Sequence, residues 1–157
     1  MSPWISYTVG RCLFLSGIAQ WHRRIHEFAM RRLQIAADQN HGPSQLFFGQ
    51  LLKYRGASVL NRVAGIRYLH DSAEKGSADA QFMLAEALLD PELMYPSDLI
   101  KHEPVSLYER AAEAGHKMAA LRLSKAYEQG ALGLQQNTEL AAKYFDQFSR
   151  DGNLPND

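Results

Sequence analysis

The sequence predicts an all-α fold: a right-handed α/α solenoid of about four helix-turn-helix repeats, forming one domain over residues 1–157. Three observations predict it. A motif of small residues followed by Gly or Asn recurs at Ala36–Ser44, Ser72–Ala80 and Ala111–Ala119. The Gly or Asn positions, Asn40, Gly76, Gly115 and Gly152, stand 36, 39 and 37 residues apart, a period suited to stacked helix pairs. Between them apolar residues fall four apart on one helical face, and no segment sustains the alternation of a strand.

The first repeat, about 4–40, is degenerate. Ser6, Phe14 and Gly17 fit a first helix over 4–16, and Phe28, Ala29, Leu33 and Ala36 fit a second over 21–38. An atypical terminal repeat is expected, because one of its faces meets water. The second repeat, 41–76, opens at Ser44 and runs through Phe48, Gly49, Leu52 and Gly56 in a helix over 43–55; Ala64 and Tyr68 give the inward face of the helix over 60–75. The third, 77–115, carries Ala80, Leu84 and Leu88 over 79–89, then Val105 and Tyr108 over 103–114. The fourth, 116–152, carries Ala119, Leu123, Tyr127 and Gly130 over 117–129, then Ala141 and Phe145 over 137–150.

The motif has a physical reason. Two small residues at a helix end let a neighbouring helix come close. The Gly or Asn just beyond can adopt a left-handed backbone that caps the helix and turns the chain. The small residue four positions on, Ser44, Ala80 or Ala119, opens the next helix where backbones pack tightly.

Residues 90–104 form the longest non-periodic stretch. Three prolines, Pro91, Pro96 and Pro104, break helix there, yet Leu93, Met94, Tyr95, Leu99 and Ile100 make it apolar. Packing back on the solenoid is the favoured reading; presentation to a partner is the other. The tail after Gly152 is expected to fray.

Composition bounds function. The chain is 46% hydrophobic, 22% charged and formally neutral, so nothing in its balance calls for nucleic acid. A single cysteine, Cys12, excludes an intrachain disulfide and a paired-cysteine zinc site and leans towards the cytoplasm. No stretch approaches the roughly 20 apolar residues of a bilayer span. Residues 13–19 are apolar and end in small residues, but no positive region precedes them, so they read as part of the first helix; a divergent signal there would place the chain in the periplasm.

Candidate chemistry is sparse. His22 and His26 have metal-ligand spacing, but Arg23 stands where a zinc protease needs Glu, so no metal site is expected. Arg23, Arg24, Arg31 and Arg32 form a basic cluster that Glu27 can neutralise at i,i+4 spacing. Cys12 reads as a packed small hydrophobe. No phosphate loop, nucleophile elbow or paired acidic motif is present, so neither catalytic residues nor a cofactor are expected and the chain does not read as an enzyme.

The combination small-x-x-x-Leu-Gly-x-x-Tyr-x-x-Gly, then Ala-x-x-Tyr, then Ala-Ala-x-x-Gly, resembles the Sel-one-like repeat, a relative of the tetratricopeptide repeat. Ser44–Lys75 and Ala119–Gly152 match best; in the third repeat Ala85 stands in place of the Gly after Leu84. The resemblance implies a protein-binding scaffold, of a kind met in bacteria, in which the first helix of each pair lines a concave groove. The repeat register then places Thr8, Leu46, Phe82 and Leu121 in one row, Cys12, Gln50, Glu86 and Lys125 in a second, and Leu15, Lys53, Leu89 and Glu128 in a third, with Tyr54 beside it. Such a groove suits a peptide or helix of another protein. The expected partner-binding residues are Leu46, Gln50, Lys53, Tyr54, Phe82, Glu86, Leu89, Leu121, Lys125 and Glu128. The alternative is a regulatory or envelope-associated component that docks its basic second helix on an anionic surface.

Overall fold

The computed structural model describes residues 2–17, 22–56, 58–91 and 103–150. Among them are eight helices and no strand: α1 (Pro3–Leu15), α2 (Arg23–Asp38), α3 (Gly42–Arg55), α4 (Val59–Glu74), α5 (Ala78–Leu88), α6 (Pro104–Glu113), α7 (Lys117–Gln129) and α8 (Thr138–Arg150). The expected helices are all present within one or two residues of their predicted bounds. The chain divides into two compact units, Met1–Ser77 and Ala78–Asp157, each holding two helix pairs. Most of the 90–104 stretch, the Gly152 cap and the tail lie outside the described residues.

The caps are those the motif demands. Asn40, Gly76 and Gly115 have φ of 64°, 86° and 86°, the left-handed region that L side chains avoid and Asn tolerates best. In each, two main-chain bonds fold back onto the preceding helix. The N–H of His41 donates to the Ala36 carbonyl at 3.2 Å, that of Ser77 to Ser72 at 3.2 Å and that of His116 to Ala111 at 2.9 Å. The cap N–H groups of Asn40, Gly76 and Gly115 reach Ala37, Ala73 and Ala112. This is the Schellman arrangement, and all six accepting residues are buried.

Within the first unit, α1 packs on α2, α2 on α3 and α3 on α4. The α3–α4 crossing is made of bare backbone. A Cβ on Gly65 would lie 2.7 Å from both the Gly49 carbonyl oxygen and the Lys53 nitrogen. The α1–α2 crossing is similar: a Cβ on Gly10 would lie 2.9 Å from the Ala29 oxygen. In the second unit α5 packs on α6, α6 on α7 and α7 on α8. There the positions matching Gly49 are Ala85, fully buried, and Ser124, whose hydroxyl donates to the Ala141 carbonyl at 2.9 Å.

A polar tie joins the first unit's two repeats. The Lys75 ammonium, beside the Gly76 cap, donates to the main-chain and side-chain oxygens of Asn40 at 2.7 and 2.6 Å, and also to the Gln45 side chain. Desolvation lowers the Lys75 pKa, partly offset by Asp71. The Gln45 amide in turn donates to the Ala37 carbonyl at 3.2 Å. One cap is thereby fastened to the next.

Two expectations are corrected. Cys12 is exposed and not packed, because α1 turns that face away from α2. Phe145, expected on the inward face of α8, is 52% exposed. Its neighbour Tyr144 turns inward and stacks on Tyr127, with ring centroids 5.8 Å apart and planes within 6°.

Gly65→Ala is expected to destabilise the protein by about 1–3 kcal/mol, because its methyl meets backbone that must move. Gly76→Ala should cost about 1 kcal/mol, since nothing lies within 4 Å and its penalty is the left-handed backbone. Urea denaturation of both variants checks the order; Gly65→Ala as stable as the parent chain contradicts the close crossing.

Candidate functional site

A concavity among the described residues of the second unit draws together residues of successive first helices. It is a hollow of about 390 Å³ lined by Glu86, Leu89, Asp90, Tyr108, Arg122, Lys125, Ala126, Gln129, Ala131 and Leu132. Two successive first helices, α5 and α7, supply its charged walls, and the fully buried Tyr108 of α6 gives the floor.

Its centre is a fixed ionic group. One carboxylate oxygen of Glu86 accepts from the Tyr108 hydroxyl at 2.7 Å and lies 2.7 Å from Arg122 Nε; the other accepts from Arg122 Nη2 at 2.9 Å. The guanidinium is therefore bidentate, which sets its plane as well as its position. Burial, reinforced by the bond to Glu86, pushes the Tyr108 pKa well above its ordinary value. Tyr68 in the first unit has the same arrangement: burial and a bond to Asp38 at 2.5 Å raise its pKa.

Around this centre the hollow offers apolar and cationic contacts. Leu89, 43% exposed, and Leu132 stand at the rim with the exposed Lys125. Leu132 has φ of 58°, uncommon for a leucine, so the loop after α7 holds it in a conformation that local preference disfavours.

The residues expected from the repeat register divide among several places. Glu86, Leu89 and Lys125 meet in this hollow. Glu86 is committed to Tyr108 and Arg122, so it orients the site and its charge is already met. Phe82 packs on the His116 ring, with centroids 4.4 Å apart, and on Tyr108 at 5.9 Å; it is half-buried and does not line the hollow. Leu121 is half-buried outside the hollow. Glu128 lines a different depression, with Ser124, Thr138, Ala141, Ala142 and Phe145. Leu46, Gln50, Lys53 and Tyr54 all belong to α3 of the first unit. There Leu46 lines a hollow of about 340 Å³ with Gly42, Pro43 and Ser72, while the Lys53 ammonium lies 4.9 Å from the exposed Tyr54 ring.

Register reasoning missed Arg122. The signal was present: the third position after Ser44 and Ala80 is Phe47 or Met83, and after Ala119 it is Arg122. A charge in a slot that is otherwise apolar needs a carboxylate partner. It also missed two histidines at N-cap positions, of which His116 caps its helix through the side chain and His41 does not. His116 Nδ1 accepts the Ala119 N–H at 3.2 Å, and His41 Nδ1 lies 2.6 Å from the Ser44 hydroxyl.

On the basic helix α2, Arg23 pairs with Glu27 at 2.8 Å, the spacing expected from the sequence. Arg32 lies 4.9 Å from the centroid of Phe28, which is 45% exposed. Among the described residues no group of three His, Cys, Asp or Glu gathers as a metal site, and no helix is long and apolar enough to cross a membrane.

Tyr108→Phe keeps the ring and removes its bond to Glu86, with an expected cost of about 1 kcal/mol in thermal unfolding. The raised tyrosine pKa values also set an alkaline limit. The unfolded chain ionises its tyrosines near pH 10, before Tyr68 and Tyr108 ionise in the fold. Their contribution is therefore complete below about pH 10 and is lost as pH rises through the folded-state values. Melting midpoints measured from neutral pH upward should hold level and then fall above about pH 10. Phenolate absorbance from these two tyrosines should appear with unfolding and not before it.

Neither protein-family models nor curated protein sequences give a match to this chain. Solved structures do. A Sel1 repeat protein from Oxalobacter formigenes superposes with a TM-score of 0.66 at 24% identity, covering 78% of this chain and 90% of that one. A protective antigen present in uropathogenic Escherichia coli strains, displaying an SLR fold, superposes with a TM-score of 0.74 at 18% identity. That match covers 97% of this chain, which spans 31% of the antigen's length. The left-handed caps, the helix pairs and these likenesses agree: the chain has the fold of a Sel1-like repeat protein, an all-α solenoid.

Proposed function

We propose that this chain is a non-catalytic adaptor that holds a peptide or helix of another protein against its first-helix faces. The observation that carries this reading is the hollow of the second unit, which Glu86, Leu89 and Lys125 line together. Its rim joins apolar side chains to a free-standing ammonium, and its floor is held by the Glu86–Arg122 pair. That mixture suits an amphipathic segment with an acidic or polar edge. Sel1-like repeats serve as protein-interaction scaffolds, which supports the same class. The α3 row, Leu46, Gln50, Lys53 and Tyr54, is proposed as a further contact surface, with Phe82, Leu121 and Glu128 as supporting positions. The exposed thiol of Cys12 supports a reducing compartment, which favours the cytoplasm.

A second reading has its own observation. The exposed Phe28 on α2 lies among Arg24, Arg31 and Arg32, a pairing of apolar ring and cations suited to an anionic surface. The two readings differ in salt dependence, since a contact made by exposed arginines is screened steeply.

Peptides selected against the full chain from a random display library test the first reading. Leu89→Asp and Lys125→Glu are each expected to weaken the selected peptides by about tenfold or more, with helicity unchanged. Lys53→Glu reports on the α3 row in the same assay. Peptides that bind both hollow variants as well as the parent chain would refute the assignment. Loss of binding only on changing Arg24, Arg31 and Arg32 to Gln, and at moderate salt, would transfer the function to α2.

A further inference from the structure

The exposure of Phe145 has a counterpart within the chain. Counted back in the sequence from Asn40, Gly76, Gly115 and Gly152, Phe145 occupies the position of Leu33, Leu69 and Tyr108, all fully buried. By the same count Ala142 and Ser149 match Met30 and Ala37. In α2 these three positions form an interface: Leu33 and Ala37 are buried against Phe48, with Met30, Phe47 and Leu51 packed around them. Phe47, Phe48 and Leu51 come from α3, the first helix of the following repeat. On α8 the matching three residues are exposed, and Phe145 and Ala142 line a depression of about 350 Å³ with the small side chains Ser124, Thr138 and Ala141 and with Glu128 at its edge. The α8 face is built like a repeat-stacking interface, and no helix among the described residues covers it.

We propose that this face takes α1 from a second copy of the chain, stacked head to tail. Two observations favour that occupant. The interface continues the one already formed between α2 and α3, so the helix that fits it is a first helix of this repeat type. And α1 is a first helix with apolar surface to cover. By the register that sets Gly10 against Gly49, each meeting the equivalent pair Ala29–Leu33 or Gly65–Leu69, its Val9 and Leu13 correspond to Phe48 and Leu52 of that interface, and both are half-buried. Trp4 and Leu15, on the same helix, are 63% and 61% exposed. The Phe145 ring would enter the space between Val9 and Leu13, and the small residues of the α8 depression would let the backbones approach. Such a contact joins unlike faces, so each copy keeps one free end.

Sedimentation velocity of the full chain across a wide concentration range tests this. The parent chain is expected to grow beyond monomer as concentration rises. Phe145→Asp damages the α8 face and Leu13→Asp the α1 face; each should weaken association by about tenfold or more. Mixed in equal amounts, the two variants still carry one intact face of each kind and should form a one-to-one pair that neither forms by itself. Ala142→Glu and Val9→Asp, on the same faces, replace any variant whose melting shows a lost fold. A parent chain that stays monomeric throughout overturns the proposal. So does an oligomer whose two variants fail to pair on mixing, which would mean a symmetric interface or a contact elsewhere.

Discussion

Three second helices end in the same way: a left-handed residue turns the chain, and two N–H groups return to the carbonyls of a buried small pair. The pairs are Ala36–Ala37, Ser72–Ala73 and Ala111–Ala112, and the rest of each unit is arranged about them. The cap fixes where the next first helix begins, so Ser44, Ala80 and Ala119 fall in the same place in each repeat. Within the first unit it leaves α3 packed on α2, and within the second α7 on α6, where the openers Ser44 and Ala119 are fully buried and small. In the first unit the Lys75 ammonium fastens one cap to the next through Asn40 and Gln45. Larger side chains at the paired positions would hold the helices apart and remove the close contact on which the stacking relies.

The hollow of the second unit depends on that stacking. Only when α5 and α7 lie at a repeat spacing can Glu86 meet Arg122 across it, with Tyr108 beneath. The result is a charged group that is internally neutralised and geometrically fixed, surrounded by side chains that are neither. Leu89, Lys125 and Leu132 stand exposed around it, where the proposed partner would meet them, while Glu86 and Arg122 fix the base. A binding surface on a rigid ionic base loses little side-chain freedom when it engages.

Helices and caps were legible in the sequence because each depends on local chemistry: spacing of apolar residues, small pairs, and Gly or Asn where φ must be positive. Asn40 was readable as a cap for that reason, although it is not a glycine. The site was legible in part. The register put Glu86, Leu89 and Lys125 on first helices, and these three line one hollow; it gave direction without exposure, so it did not show that Phe82 stacks on His116 or that Leu121 is half-buried outside that hollow. Cys12 and Phe145 failed in the opposite sense. Apolar spacing says which face a residue shares, and it does not say whether another element arrives to cover that face. Gly10 and Gly65 were passed over because a glycine within a helix has no local signature of close approach; its role exists only in the crossing. Arg122 could have been found by comparing equivalent slots and asking which charge lacked an apolar reason to be there.

The main helix contacts within each unit join neighbours in the sequence, α1 to α2, α2 to α3, α3 to α4, and likewise from α5 to α8. Little chain therefore has to be closed into loops before contacts form, and such low contact order belongs to fast folding. Stability in such an array is shared between adjacent members and not held by one centre. Damage at the Gly49–Gly65 crossing would loosen its own pair first, while the second unit keeps its own contacts. Cooperativity thus has a short range, and opening by amide hydrogen exchange would proceed pair by pair, with the glycine crossing and its caps the last to yield in the first unit.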